Sequence, residues 1–195
     1  LISEQSSFCP RVIPTLEGET IAEIQSNDGS HFAWLITYLD GTPLGSVRRH
    51  SDELLRELGK CLGQVDRALS GFDHPAIHRD FHWDLANGLR EVRKYESLIT
   101  DETMRQLVNK LTDEFERDTA PLFPKLRRSA IHNDANDYNV LVGGTQDLYS
   151  RNQQVAGLVD FGDMVFSYTV CDLAIAIAYT ILDKADPLAA AAQIV

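Results

Sequence analysis

The sequence predicts an α+β fold in which a short β-rich segment precedes a mainly helical region that carries a β-hairpin. Three observations support this reading. Residues 11 to 39 are rich in β-branched and aromatic side chains and are broken by turn clusters. From residue 51 the apolar residues recur at helical spacing. Residues 129 to 161 then return to short apolar runs around a polar loop, and an apolar stretch of helical length follows.

Arg11-Val12-Ile13, stopped by Pro14, reads as the first strand, and Thr20 to Ile24 as the second. Ser26 to Ser30 is a turn cluster with an Asp-Gly hairpin signal. His31 to Leu39 reads as one continuous strand, ended by Asp40-Gly41-Thr42-Pro43. Ser51 is the expected cap of a first helix, with Asp52 and Glu53 suiting the positive end of its dipole. Leu54, Leu55, Leu58, Cys61, Leu62, Val65 and Leu69 form its apolar face, and Gly71 ends it. A second helix is expected from about Thr100, with Met104, Leu107, Val108, Leu111 and Phe115 as its apolar stripe and Pro121 and Pro124 closing it. Ala130 to His132, Val140 to Val142 and Val155 to Phe161 are short strands, Gly143-Gly144 is a turn, and Tyr168 to Leu182 is a buried helix.

Bulk composition narrows the function. Apolar residues make up 44% and charged residues 24%, the balance of a globular protein. A net charge of −11 argues against nucleic acid as a partner, which requires a basic face. Cys9, Cys61 and Cys171 are odd in number, far apart and without a CxxC pair, so they read as reduced thiols in a cytoplasmic protein. The most apolar stretch, Val170 to Leu182, is too short to span a bilayer and contains Asp172, so no membrane partner is expected. The chain starts at Leu1 and ends in an Ala-rich run, so it is expected to be part of a longer, multidomain polypeptide.

The strongest local signal is His132-x-Asp134-x4-Asn139. Phosphoryl transfer needs a carboxylate within reach of the attacking hydroxyl and an oxygen ligand for Mg²⁺ close by. Asp134 and Asn139 sit on one compact loop between two short strands, which can aim both at a single phosphate. His132 is placed to brace that loop. Asp160 lies 21 positions after Asn139, at the end of the next strand. Antiparallel pairing of Val140-Leu141-Val142 with Val155 to Val159 brings it back beside Asn139. A carboxylate and an amide oxygen suit a hard cation such as Mg²⁺. The bland alternative is a polar hairpin loop whose Asp and Asn residues make local turns.

These segments resemble the aminoglycoside phosphotransferase and choline kinase superfamily. The residues that carry the resemblance are Ile131 to Val142, Val159-Asp160-Phe161-Gly162-Asp163-Met164 and Cys171-Asp172-Leu173-Ala174. The resemblance is closest to the hydroxylysine kinase-like branch, including phosphotransferase domains fused to class-III aminotransferases. It implies a protein-kinase-like fold, with residues 1–40 as a remnant of the nucleotide lobe and hinge and residues 41–195 as the helical lobe. By the resemblance Asp134 is the catalytic base, and Asn139 and Asp160 are the metal ligands. Ile36, Thr37, Tyr38 and Leu39 meet the nucleotide, Asp137 and Asp163 face the substrate, and Asp172 braces the loop. Trp83-Asp84-Leu85 falls, by the same resemblance, near the substrate side. The implied reaction moves the γ-phosphoryl of ATP or GTP, with Mg²⁺, to an alcohol on a small amino-compound. The family often has Gly where this chain has Asn133.

Other signals compete. His78-Arg79-Asp80 imitates a kinase triplet, but position 85 is Leu where an Asn is needed. His74, His78 and His82 recur every four residues and would share a helix face, a pattern that a zinc hydrolase could use. The five lysines, Lys60, Lys94, Lys110, Lys125 and Lys184, all follow the expected hinge, and residues 1–38 contain no Gly-x-Gly-x-x-Gly. Half of the expected phosphate clamp is therefore missing from this chain, which predicts weak or no turnover by it alone. It also keeps open an inactive, kinase-derived binding module.

Overall fold

A computed structural model of the chain describes residues 8–143, 147, 150 and 153–195. It contains nine short strands and five α-helices within those residues, joined by 3₁₀ turns. Strands β1 (Val12–Ile13) and β4 (Leu35–Ile36) pair antiparallel, and β2 (Ala22–Ser26) and β3 (Gly29–Ala33) form a hairpin. The hairpin turn falls at Asn27-Asp28, and Gly29 takes the positive φ that closes it.

The continuous strand expected over His31 to Leu39 is instead two strands with different partners. Ala33 pairs with Ala22, whereas Leu35 pairs with Ile13, so the chain changes sheets at Trp34. Propensity does not reveal this, because both halves are equally β-favouring. The expected break at Asp40 to Pro43 also contains a strand. β5 (Thr42–Pro43) joins β7 (Val140–Val142), which is central in a three-stranded sheet with β8 (Val155–Leu158). Pro43 is tolerated there because β5 is an edge strand.

Helix α1 (Asp52–Leu69) matches its expected start: Ser51 accepts a hydrogen bond from the Leu54 N–H at 3.2 Å. Its seven expected apolar residues are all buried. All but Leu55 share one core with Ala130 of β6 (Arg128–Ile131), Val140 and Val142 of β7, Leu158 of β8 and Ala176 of α4 (Val170–Thr180). Each fully buried leucine contributes about 2 kcal/mol. β6 pairs with β9 (Val165–Tyr168), a strand absent from the sequence reading because Asp160 to Met164 reads as a turn leading into the helix. The expected strand at Val155 to Phe161 ends at Leu158, before Asp160. The Gly143-Gly144 turn lies partly outside the described residues.

Helix α2 (Gly88–Tyr95) is likewise unforeseen. Its Gly start and its short amphipathic run give little periodic signal. Helix α3 (Glu102–Asp118) starts two residues after the expected Thr100 and is capped by Asp101, but its apolar stripe is largely open. Met104, Leu107 and Leu111 are each about half exposed, and only Thr112 of this helix is buried. Helix periodicity reports an apolar face and says nothing about what covers it.

Helix α5 (Pro187–Ile194) lies along α1, and the two approach closely at Gly59. A methyl group at Gly59 would overlap the carbonyl of Ile194. Gly59→Ala should therefore destabilise the fold by about 1–3 kcal/mol, despite the better helix propensity of Ala. Urea unfolding of the two proteins measures this, and an equal or higher midpoint for the variant would refute the close contact.

Candidate active site

The site is built where β6 ends. Ile131 is the last residue of β6, and the next residues leave the strand as a polar loop. Asp172, fully buried on α4, accepts hydrogen bonds from the backbone N–H of His132 at 2.8 Å and of Asn133 at 2.6 Å. A carboxylate that accepts two N–H groups in a dry interior is a strong, directional anchor. Asn133 is held at φ 68°, a left-handed conformation that favours Gly and, after it, Asn. Asn is therefore tolerated at a position where the resemblance implies Gly.

His132 is fully buried, and each ring nitrogen has one task. Nδ1 accepts from the Asp134 N–H at 3.2 Å, so Nε2 carries the proton and donates to the Val159 carbonyl at 3.0 Å. Burial lowers its pKa, against the opposing pull of Asp172, so the ring is neutral. Phe161 packs edge-on against it, with centroids 4.6 Å apart. One imidazole thereby ties the Asp134 loop to the segment that carries Asp160.

Asp134 and Asn139 meet directly. The Asn139 side-chain N–H₂ donates to the Asp134 carbonyl at 2.9 Å and to its carboxylate Oδ2 at 2.7 Å. The other carboxylate oxygen accepts from Asn136 at 2.8 Å. With its nitrogen committed to Asp134, the Asn139 amide turns its oxygen away from that carboxylate. The expected pairing of β7 with β8 is observed, with Val140 opposite Leu158. The Val159 N–H then donates to the Asn139 carbonyl at 3.0 Å, which sets Asp160 next to Asn139. Asp160 itself is left-handed, at φ 63°, and its carboxylate accepts from the Gly162 N–H at 3.3 Å. Non-glycine residues held in this region concentrate at functional sites. The Asn139 amide oxygen and the Asp160 carboxylate are hard donors on adjoining backbones, which suits a Mg²⁺ ion.

Two clefts flank this loop. A cavity of about 470 Å³ is lined by Asn133, Asp134, Asn136 and Asp163 on its polar side and by Trp83 and Tyr179 among its walls. A second, of about 430 Å³, is lined by Ile36, Thr37, Tyr38 and Leu39 together with Leu141, Val159 and Asp160. The four hinge candidates thus share one cleft with the candidate metal residue Asp160. Asp163 lies with Asp134 in the first cleft. Asp137 does not: its carbonyl accepts from the Gly45 N–H at 2.8 Å, and its carboxylate packs beside Gly45.

The zinc pattern is not assembled. Residues 74–82 form a 3₁₀ turn and loop, because Pro75 starts a new turn, so the three histidines share no helix face. His74 accepts from the Ala76 N–H, His78 meets Asp73 at 2.5 Å, and His82 packs between Phe81 and Trp83. Among the described residues no three His, Cys, Asp or Glu side chains come together as a metal site. The kinase-like triplet is likewise dispersed, with Asp80 bound to Arg90. Its Arg79 has a role that the sequence does not announce: it donates to the carbonyls of Gly162 and Met164, clamping the loop after Asp160. Trp83 and Leu85 stand in the same cavity as Asp134. Tyr179, on the far wall, is a cleft residue that sequence reasoning missed. It lies in an apolar helix tens of residues after Asp134, and no local motif distinguishes it from a core aromatic.

The fold is protein-kinase-like, as its likeness to solved kinase and phosphotransferase structures shows. A model of the phosphotransferase enzyme family matches residues 2–194, and the chain belongs to that family. It is 31% identical over 176 residues to mouse (Mus musculus) hydroxylysine kinase, an alignment covering 87% of this chain and 46% of that protein. The chain spans about half the length of the curated relatives it matches. The microcompartment-associated aminopropanol kinase superposes with a TM-score of 0.64 at 18% identity, covering 96% of this chain and 57% of the other. An amicoumacin kinase complexed with AMP-PNP and Ca²⁺ superposes at 0.61 and 12% identity, covering 99% and 55%.

Asp172→Ala should leave two buried N–H groups unpaired and cost about 2–4 kcal/mol of stability. Chemical denaturation checks this. A loss under about 0.5 kcal/mol, the usual range for a surface substitution, would show that Asp172 does not hold the loop.

Proposed function

We propose that the protein containing this chain transfers the γ-phosphoryl group of ATP or GTP to a hydroxyl group of a small amino-compound. The observation that carries the reading is the Asp134–Asn139 contact beside Asp160. It supplies one carboxylate for the acceptor and, facing away from it, oxygen donors for a cation.

Asp134 receives the acceptor's hydroxyl proton as the oxygen–phosphorus bond forms and the bond from the γ-phosphorus to the β,γ-bridging oxygen breaks. The products are a phosphate ester and ADP or GDP, and the proton passes from Asp134 to solvent. Asn139 and Asp160 would hold Mg²⁺, which neutralises phosphate charge when bound. Ile36 to Leu39 border the cleft for the nucleotide, on the side contributed by residues 1–40. His132 positions the loop and takes no proton in the step.

Asp134 and Asp163 in the 470 Å³ cavity, beside the aromatic faces of Trp83 and Tyr179, favour a cationic acceptor. Hydroxylysine, an amino alcohol or an aminoglycoside fits that description. The kinship to hydroxylysine kinase supports the first of these.

In the complete polypeptide, Asp134→Ala should preserve nucleotide binding while lowering kcat by about 10²–10⁴-fold. Isothermal titration with a non-hydrolysable nucleotide and a steady-state assay over a panel of amino alcohols measure the two. Undiminished turnover would refute the role of Asp134. Nucleotide binding with no transfer to any acceptor would instead favour the inactive binding module. Asp160→Ala should raise the Mg²⁺ concentration needed for nucleotide binding, and an unchanged requirement would remove Asp160 as a ligand.

A further inference from the structure

A second carboxyl group, which lines neither cleft, adjoins Asp172. Asp66 of α1 adjoins the Asp172 side chain, and each carboxyl acts on the other. The Oδ1 atom of Asp66 is buried and has no hydrogen-bond partner among the described residues. Two adjoining carboxylates of which one is fully buried are not both ionised without a large penalty, because like charges repel where little water screens them. One proton must lie between them.

We propose that Asp66 is a positioning residue of the catalytic loop: its neutral carboxylic acid donates to the Asp172 carboxylate and holds it turned toward the N–H groups of His132 and Asn133. This rests on the phosphotransferase reading only for its effect on turnover. The proton belongs on Asp66 because the two partners are treated differently. Both oxygens of Asp172 accept backbone N–H groups, which stabilises negative charge there. Asp66 has a buried oxygen that accepts no hydrogen bond, so a charge there is the less stabilised of the two.

The surroundings agree. Burial raises the Asp66 carboxyl to about 7, the adjoining Asp172 adds to the rise, and Arg127, just before β6, opposes it. Burial also pushes Asp172 up, against the N–H of Asn133 and the nearby His132. Cys171, beside Asp172, is a buried thiol pushed up to about 12 and carries no charge. Arg128 of β6 donates to the Phe166 carbonyl and lies over the rings of Phe166 and Tyr168. Strand β8 and helix α5, also packed on α1, contain no ionisable side chain.

The sign of the pH dependence follows. A carboxyl group with a raised folded pKa binds a proton more tightly in the folded state. Its stabilising contribution is complete below the unfolded carboxylate pKa and is lost as pH rises through about 7. His132, whose folded pKa is lowered, acts in the opposite sense: its contribution is lost as pH falls below the usual histidine range. Comparison with Asp66→Asn, which keeps a donor but cannot ionise, cancels the histidine contribution.

Difference infrared spectroscopy of this chain should show a protonated-carboxyl band at about pH 6 that vanishes above about pH 8 and is absent from Asp66→Asn. The decline in melting temperature over the same interval should flatten in Asp66→Asn. Absence of the band in the unsubstituted chain, its persistence in the variant, or superimposable melting profiles would each overturn the proposal. In the complete polypeptide, Asp66→Ala should lower kcat about tenfold with nucleotide KM unchanged. Asp66→Asn should restore most of that loss and abolish the fall of kcat at alkaline pH. If the complete polypeptide transfers no phosphoryl group, the functional reading fails, and the infrared and melting results still decide the carboxyl pair.

Discussion

Two backbone N–H groups, those of His132 and Asn133, converge on the carboxylate of Asp172 in the protein interior. Every other feature of the site depends on that convergence. It fixes the backbone at the start of the loop, and with it the left-handed turn at Asn133 that sends Asp134 toward the cleft. The His132 ring receives the Asp134 N–H on one side and reaches the Val159 carbonyl on the other. The loop and the segment that carries Asp160 come from strands in different sheets, β6 on one side and β7 with β8 on the other. The imidazole joins them. A flexible contact would let the two carboxylates drift apart, and rigid placement of the reacting groups is what such a site supplies.

The hydrophobic scaffold serves the same end. The apolar face of α1 lies against β6, β7, β8 and α4, the four elements from which the loop, Asn139, Asp160 and Asp172 project. Gly59 lets α5 settle against the far side of that helix. Polar groups are then held by buried bonds within a packed frame, so their geometry is inherited from the core. Arg79 adds a clamp from outside, across the carbonyls that follow Asp160. Ser167 of β9, donating to Asp84 at 2.6 Å, ties the Trp83 segment to the same frame.

Much of the site is legible in the sequence, because its parts lie close together there. Asp134 and Asn139 are five positions apart, and the short apolar runs from Val140 to Val142 and from Val155 onward foretell the pairing that returns Asp160. The first helix is legible from Ser51 to Leu69 for a similar reason: a side-chain cap and a helical period are local properties. The parts that escape are those settled by distant partners. Nothing local to Trp34 marks the change of sheet, since the partners are Ala22 on one side and Ile13 on the other. Nothing local to residues 165–168 shows that β6 will pair there. The stripe of Met104, Leu107 and Leu111 is apolar as expected, yet its exposure depends on neighbours that periodicity cannot identify.

By itself, then, the sequence determined the groups available: the carboxylate of Asp134, the amide of Asn139, the carboxylate of Asp160, an acid in an apolar helix, and the strands that carry them. Only the tertiary structure decided how those groups are oriented and charged. It divided the work of His132 between two hydrogen bonds, aimed the Asn139 nitrogen at Asp134, turned Asp137 away to Gly45, scattered His74, His78 and His82, and set Asp66 against Asp172. The physical reason is that residue type fixes what a side chain can donate, accept or ionise. Whether it does so depends on burial and on partners that the folded chain brings from tens of residues away.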